Sequence, residues 1–137
     1  MLEKIKFTDQ YKTGISKIDE QHKQLFFILN KLITAMKFKV SNNVLEQVLK
    51  ELTNYIDYHF NEEETLFKKY KYRNTDIHVN QHKYYIEKIN YFNNKFQENK
   101  TIGLSIEILG FLTNWLKHHI LELDMEYKNI IPLTDLK

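Results

Sequence analysis

The stretch His78-Val79-Asn80-Gln81-His82-Lys83-Tyr84-Tyr85-Ile86-Glu87-Lys88-Ile89-Asn90-Tyr91-Phe92-Asn93-Asn94-Lys95-Phe96 decides the fold class. His78, His82, Tyr85, Ile89, Phe92 and Phe96 recur in steps of three and four residues. That stride keeps them on one face of an α-helix. Three more blocks with the same stride flank it. Ile15, Ile18, His22, Leu25, Leu29, Leu32 and Met36 form the first. Leu45, Leu49, Leu52, Ile56, His59, Glu63, Leu66 and Tyr70 form the second, and Ile108, Leu112, Trp115, His119 and Leu123 the last. The chain of 137 residues holds only 3 Gly and 1 Pro, so helix breakers are scarce. These features predict an all-α fold: an antiparallel up-down-up-down four-helix bundle with short connections. One domain over residues 1–137 suits the length. The first 14 residues read as an extended N-terminal arm lying across the bundle.

Boundary signals fall between the blocks. Ser16 with Asp19, and Asn43 with Glu46, resemble capping boxes. Asn74 or Thr75 can cap the third helix, residues 99–103 read as a turn, and Pro132 lies beyond the last helix.

Composition excludes several function classes. With no cysteine there is no disulfide, zinc–thiolate site or cysteine-ligated cluster. A net charge of +2, from 20 basic and 18 acidic residues, gives no long-range pull toward nucleic acid or anionic membrane. The run Lys68, Lys69, Lys71 and Arg73, interleaved with Tyr70 and Tyr72, reads as a solvated helix end. Neither a signal-peptide core nor a membrane-length apolar run is visible, so a cytoplasmic location is expected.

The histidines carry the functional signal. Five of the six, His22, His59, His78, His82 and His119, occupy apolar stripe positions, and every helix supplies at least one. One inward histidine is explained by a hydrogen bond to backbone or tyrosine. Five would repel one another when protonated and leave nitrogens unsatisfied when neutral. A metal centre resolves both problems, since neutral imidazole ligates iron, zinc and copper. His78 and His82 stand one helical turn apart, as do His59 and Glu63, so each pair can grip one centre.

With these residues in order, the sequence resembles the hemerythrin family, in particular its single-domain bacterial members. The resemblance is carried by Gly14-Ile15, Ile18 to Phe26, Tyr58-His59-Phe60, Glu62-Glu63, His78 to His82, Trp115-Leu116, His119-Ile120 and Asp124. It implies that His22, His59, His78, His82 and His119 are terminal ligands. Glu63 and Asp124 would be carboxylates bridging two iron ions, with an oxygen bridge between the metals. Phe7, Phe67 and Arg73 depart from residues common in the family, but none is a ligand position. The implied activity is reversible dioxygen binding for storage, delivery or scavenging, without catalysis and with any downstream oxidase unknown. If both irons are six-coordinate, five imidazoles, two bridging carboxylates and one bridging oxygen leave a single open position. It falls on the iron held by His22 and His59 if the other three histidines share the second iron. Leu25, Leu112, Trp115 and Leu116 can line a dry pocket around it. An alternative is a di-iron sensor or stress protein reacting with oxygen, peroxide or nitric oxide. A carboxylate-rich oxidase or ferritin-like store is disfavoured, because no Glu-x-x-His motif occurs.

The fourth helix offers two pairs. His118 and Glu122 are four apart, whereas His119 and Asp124 are five apart, about 140° in azimuth on an ideal α-helix. The stripe through Ile108, Leu112 and Trp115 selects His119. His118 is then expected near the surface or the bundle edge, with a π-type turn bringing Asp124 to the same side.

Overall fold

A computed structural model describes residues 4–38 and 41–127. Among the described residues five α-helices make four rods: α1 (Ser16–Met36), α2 (Asn42–Tyr55), α3 (Asn61–Tyr70), α4 (Thr75–Gln97) and α5 (Leu104–Trp115). A π-helical turn, Ile56–Phe60, joins α2 to α3 as one continuous rod. A longer π-helical stretch, Leu116–Asp124, continues α5 as the fourth rod. Among the described residues there is no strand. Contacts of α1 with α2 and α5, and of α4 with α2, α3 and α5, close the rods into a ring. Short connections make successive rods antiparallel, as the sequence predicts. No helix among the described residues is long and apolar enough to cross a membrane.

The predicted stripes pack inward. Leu25, Leu29, Leu32, Leu49, Leu52, Ile89, Phe92, Ile108 and Leu112 form one large core with Tyr55, Phe60, Tyr85 and Trp115. Ile15, Ile18, Phe67, Tyr72 and Tyr127 form a smaller one. Burying a side chain of this size is worth roughly 1.5–3 kcal/mol, so the two cores set the spacing of the rods. The stripes fray at their ends, where Met36, Leu66, Tyr70, Phe96 and Leu123 are only partly buried.

Helix starts differ from the sequence reading. The chain enters α1 at Ile15, and Asp19 reaches back to accept from the Thr13 and Gly14 backbone N–H groups at 2.8 and 3.2 Å. Ser16 is therefore the first helical residue and not a cap. Ser41 caps α2 in place of Asn43, its Oγ accepting from the Val44 N–H. Asn74 precedes α4 without a side-chain cap, and its Nδ2 donates to Glu126 Oε2 at 3.3 Å. Two helix ends use the left-handed region on residues that carry a Cβ, Lys71 at φ 51° and Asn99 at φ 62°. There the Tyr72 N–H bonds the Phe67 carbonyl and the Lys100 N–H bonds the Lys95 carbonyl, satisfying orphan carbonyls. The basic run ends α3, where Lys68 and Lys69 complement the negative end of the helix. Pro132 lies outside the described residues.

The N-terminal arm crosses α1. Ile5 exchanges two hydrogen bonds with the Asn30 amide, at 2.7 and 2.8 Å. Phe7 and Tyr11 pack edge-on against Phe26. A short 3-10 turn, Asp9–Tyr11, interrupts the extended run.

Candidate metal centre

Between the two cores the rods supply polar groups to a region closed to solvent. α1 brings His22 and the π turn brings His59. Glu63 comes from the first turn of α3. α4 brings His78 and His82, and the fourth rod brings His119 and Asp124. All seven are buried, none more than 1% exposed.

The inner nitrogens converge on the two carboxylates. His22 Nε2 is 2.7 Å from Asp124 Oδ2, and His78 Nε2 is 2.7 Å from Asp124 Oδ1. His119 Nε2 lies 3.1 Å from the same Oδ1. Around Glu63, the His59 and His82 Nε2 atoms each lie 3.0 Å from Oε1. The ligand atoms fall into two groups, each within 4.8 Å: His78, His82 and His119 with Glu63, and His22 and His59 with Glu63 and Asp124. Both carboxylates thus touch histidines of both groups.

The electrostatics follow from that geometry. Burial pushes Glu63 and Asp124 upward, but the surrounding imidazoles outweigh it and hold both well below the usual carboxylate range. Burial pulls His59 and His78 downward, and the two carboxylates more than reverse it, raising them to about 9 and about 10. His119 is lowered to about 4, chiefly by burial. Without a metal, protonated His59 and His78 therefore balance two buried negative charges.

Protons alone do not satisfy the donor set. The Nε2 atoms of His59, His78 and His119 sit close to carboxylate oxygens but lack the angles of a hydrogen bond, and Asp124 Oδ1 is likewise unpartnered. Buried polar nitrogen and oxygen atoms left without hydrogen bonds are costly. A cation between them removes the cost, and imidazole nitrogen with carboxylate oxygen suits iron, zinc or manganese. The residues present therefore fit a two-metal centre.

Groups behind the site fix its parts. Gln21 Oε1 lies 2.8 Å from His59 Nδ1, and Glu64 Oε2 lies 2.7 Å from His82 Nδ1. The Tyr127 hydroxyl donates to Glu63 Oε2 at 2.5 Å. Aromatic rings clamp the imidazoles face to face: Phe60 on His82 and Trp115 on His119, both with centroids 3.9 Å apart. Sequence reasoning missed Gln21, Glu64, Tyr127 and the stack on Phe60. The visible clue was position: Gln21 and Glu64 each directly precede or follow a named site residue, and Tyr127 stands three after Asp124.

On the fourth rod His118 is exposed, its side chain at 63%, and lies 3.8 Å from the equally exposed Glu122. His119 and Asp124 face inward on a backbone widened by the π-helical stretch. This is the turn that their five-residue spacing calls for. A second π turn, around His59, had no such signal.

The comparisons fall into line with this geometry. The family model described as "Hemerythrin HHE cation binding domain" matches residues 13–131. The chain belongs to the hemerythrin family. A protein named Bacteriohemerythrin from Clostridium acetobutylicum is 36% identical over 125 residues, covering 87% of this chain and 95% of that one. Another of that name from Pseudomonas aeruginosa is 32% identical over 123 residues, covering 90% and 78%. A Hemerythrin-like protein of Naegleria gruberi is 32% identical over 122 residues, covering 86% of each. The seven buried groups of this hemerythrin-family chain all fall within the matched span.

Proposed function

We propose that this hemerythrin-family protein binds dioxygen reversibly at a centre of two iron ions, and that it is a binding protein and not an enzyme. One observation carries the reading. Five imidazoles divide three and two, with Glu63 common to both groups and Asp124 within 3.1 Å of His78 and His119 as well as His22. Two equal halves would saturate alike, whereas unequal halves leave one metal a ligand short. When bound, two ferrous ions supply that open position and the electrons that make dioxygen binding strong yet reversible.

The chain's own residues do the rest. Glu63 and Asp124, each touching histidines of both groups, would hold the two metals together. Gln21 and Glu64 keep the proton on Nδ1 of His59 and His82, leaving each Nε2 lone pair for a metal. Tyr127 fixes the orientation of Glu63. Leu25, Leu112, Trp115 and Leu116 are all buried and exclude water and stray protons from the bound ligand.

The test is an anaerobic visible spectrum of protein loaded with ferrous iron, recorded before oxygen, after oxygen and after argon purging. A new visible band that appears with oxygen and disappears on purging is expected. Irreversible bleaching, or prompt release of hydrogen peroxide, would place the protein among oxidases.

A further inference from the structure

The two imidazoles with partnered outer nitrogens are held by different chemistry. His82 Nδ1 faces a carboxylate, Glu64 Oε2, at 2.7 Å, whereas His59 Nδ1 faces a neutral amide oxygen, Gln21 Oε1, at 2.8 Å. Both partners only accept at those atoms, so both imidazoles donate from Nδ1. The tautomer is the same on each side, and the difference is one full negative charge. A hydrogen bond to a charged acceptor is roughly twice as strong as a neutral one. It also pushes electron density through the ring toward Nε2. The two imidazoles belong to opposite halves, His82 with His78 and His119, and His59 with His22.

Glu64 is separable from the surrounding structure. Its neighbours in the acidic run have other partners: Glu62 pairs with Lys17 at 3.2 Å, and Glu63 lies inside the site. The Glu64 side chain is 40% exposed, so a change of charge there leaves no cavity. His82 itself is clamped by Phe60, whose ring is within 6° of parallel, so the imidazole keeps its place when its partner changes.

We propose that Glu64 is a positioning residue that strengthens His82 as a ligand, so that the His78–His82–His119 half takes its metal first and holds it tighter. Neutral Gln21 leaves the His22–His59 half the weaker of the two. The inference rests on the two-metal reading, and it assigns an order of loading that ligand count alone does not tie to any residue outside the site.

The test titrates metal-free protein with cobalt(II) under argon against a competing chelator. Visible spectra follow binding, and the paramagnetically shifted histidine ring protons identify the half that fills. Wild type should bind in two steps, the first shifting His78, His82 and His119. Glu64→Gln should weaken the first step about 10- to 100-fold and spare the second. Gln21→Glu should strengthen the second step by a similar factor, a gain that a merely structural role would not produce. A first step unchanged within about threefold in Glu64→Gln, or equal weakening of both steps, would overturn the proposal and leave the two-metal reading standing. A wild type that binds a single cobalt would overturn both.

Discussion

The first and third rods meet the site as regular α-helix, and the second and fourth meet it through π-helical turns. The regular rods, α1 and α4, contribute only imidazoles: His22, His78 and His82. Both carboxylates come from the widened rods, Glu63 just after one π turn and Asp124 at the end of the other. A regular helix repeats its inward face every three to four residues, which suffices for one imidazole per turn. Asp124, five residues after His119, reaches that face only where its rod changes phase, and an i to i+5 turn does so without breaking the rod. The widening is thus where the backbone gives up regular bonding to place charge.

The sharpest way to break this comparison is to exchange Leu123 and Asp124. On a regular helix, an aspartate at 123 would stand one turn after His119, as Glu63 does after His59, and the site would survive. In this structure position 123 is only partly buried and position 124 is fully buried. The Leu123→Asp, Asp124→Leu double variant should therefore lose two-metal stoichiometry altogether, as measured by metal analysis after reconstitution. Retention of two metals would show that the π-helical stretch is not needed.

A second test uses pH to compare the regular and widened rods. His78 on α4 and His59 on the π turn are raised to about 10 and about 9 from an ordinary value of 6.5. Their contribution to the stability of the metal-free protein is complete below pH 6.5 and is lost as pH rises through those values. Metal binding has the opposite sign, because each must shed its proton before it can ligate. Between pH 6.5 and 9, urea midpoints of metal-free protein should fall while metal affinity rises. His119, lowered to about 4, is neutral in the folded protein throughout that window and has no proton to shed before it can ligate.

Smaller effects are expected behind the site. Tyr127→Phe removes the donor to buried Glu63 and should cost about 1.5–3 kcal/mol in urea melts at neutral pH. The smallest effect is expected at the helix ends. Lys71→Gly relieves a left-handed residue that carries a Cβ and should add up to about 1 kcal/mol. Asn99→Gly should add less, since asparagine tolerates that region.

The bundle was legible because its stripes follow one period. Ile89, Ile108 and Leu112 read as core from spacing alone, and all three are fully buried. Histidines on those stripes were legible for the same reason, since an imidazole at a core position contradicts its surroundings. Helix starts were less so, because Ser41 serves α2 where Asn43 was an equal candidate, and α1 and α4 begin without a side-chain cap. Glu64 and Gln21 were hidden for another reason. A charged or amide residue beside a site residue looks like ordinary surface until a partner rod is placed against it. The π turn at His59 left no trace either, because His59 and Glu63 keep the four-residue spacing of a regular helix. Tyr127 escaped because the π-helical stretch shifts the inward face past Leu123, where the periodic reading stopped.

The stack of Trp115 on His119 has an optical consequence. Trp115 is the only tryptophan of the chain, and its indole lies 3.9 Å from the imidazole ring, within 11° of parallel. Its emission therefore reports from a single place, against one ring of the His78–His82–His119 group. A paramagnetic ion drawn to that imidazole would quench the whole of the tryptophan emission at once. The molecule carries its own lamp for following the filling and emptying of that half, with no label attached.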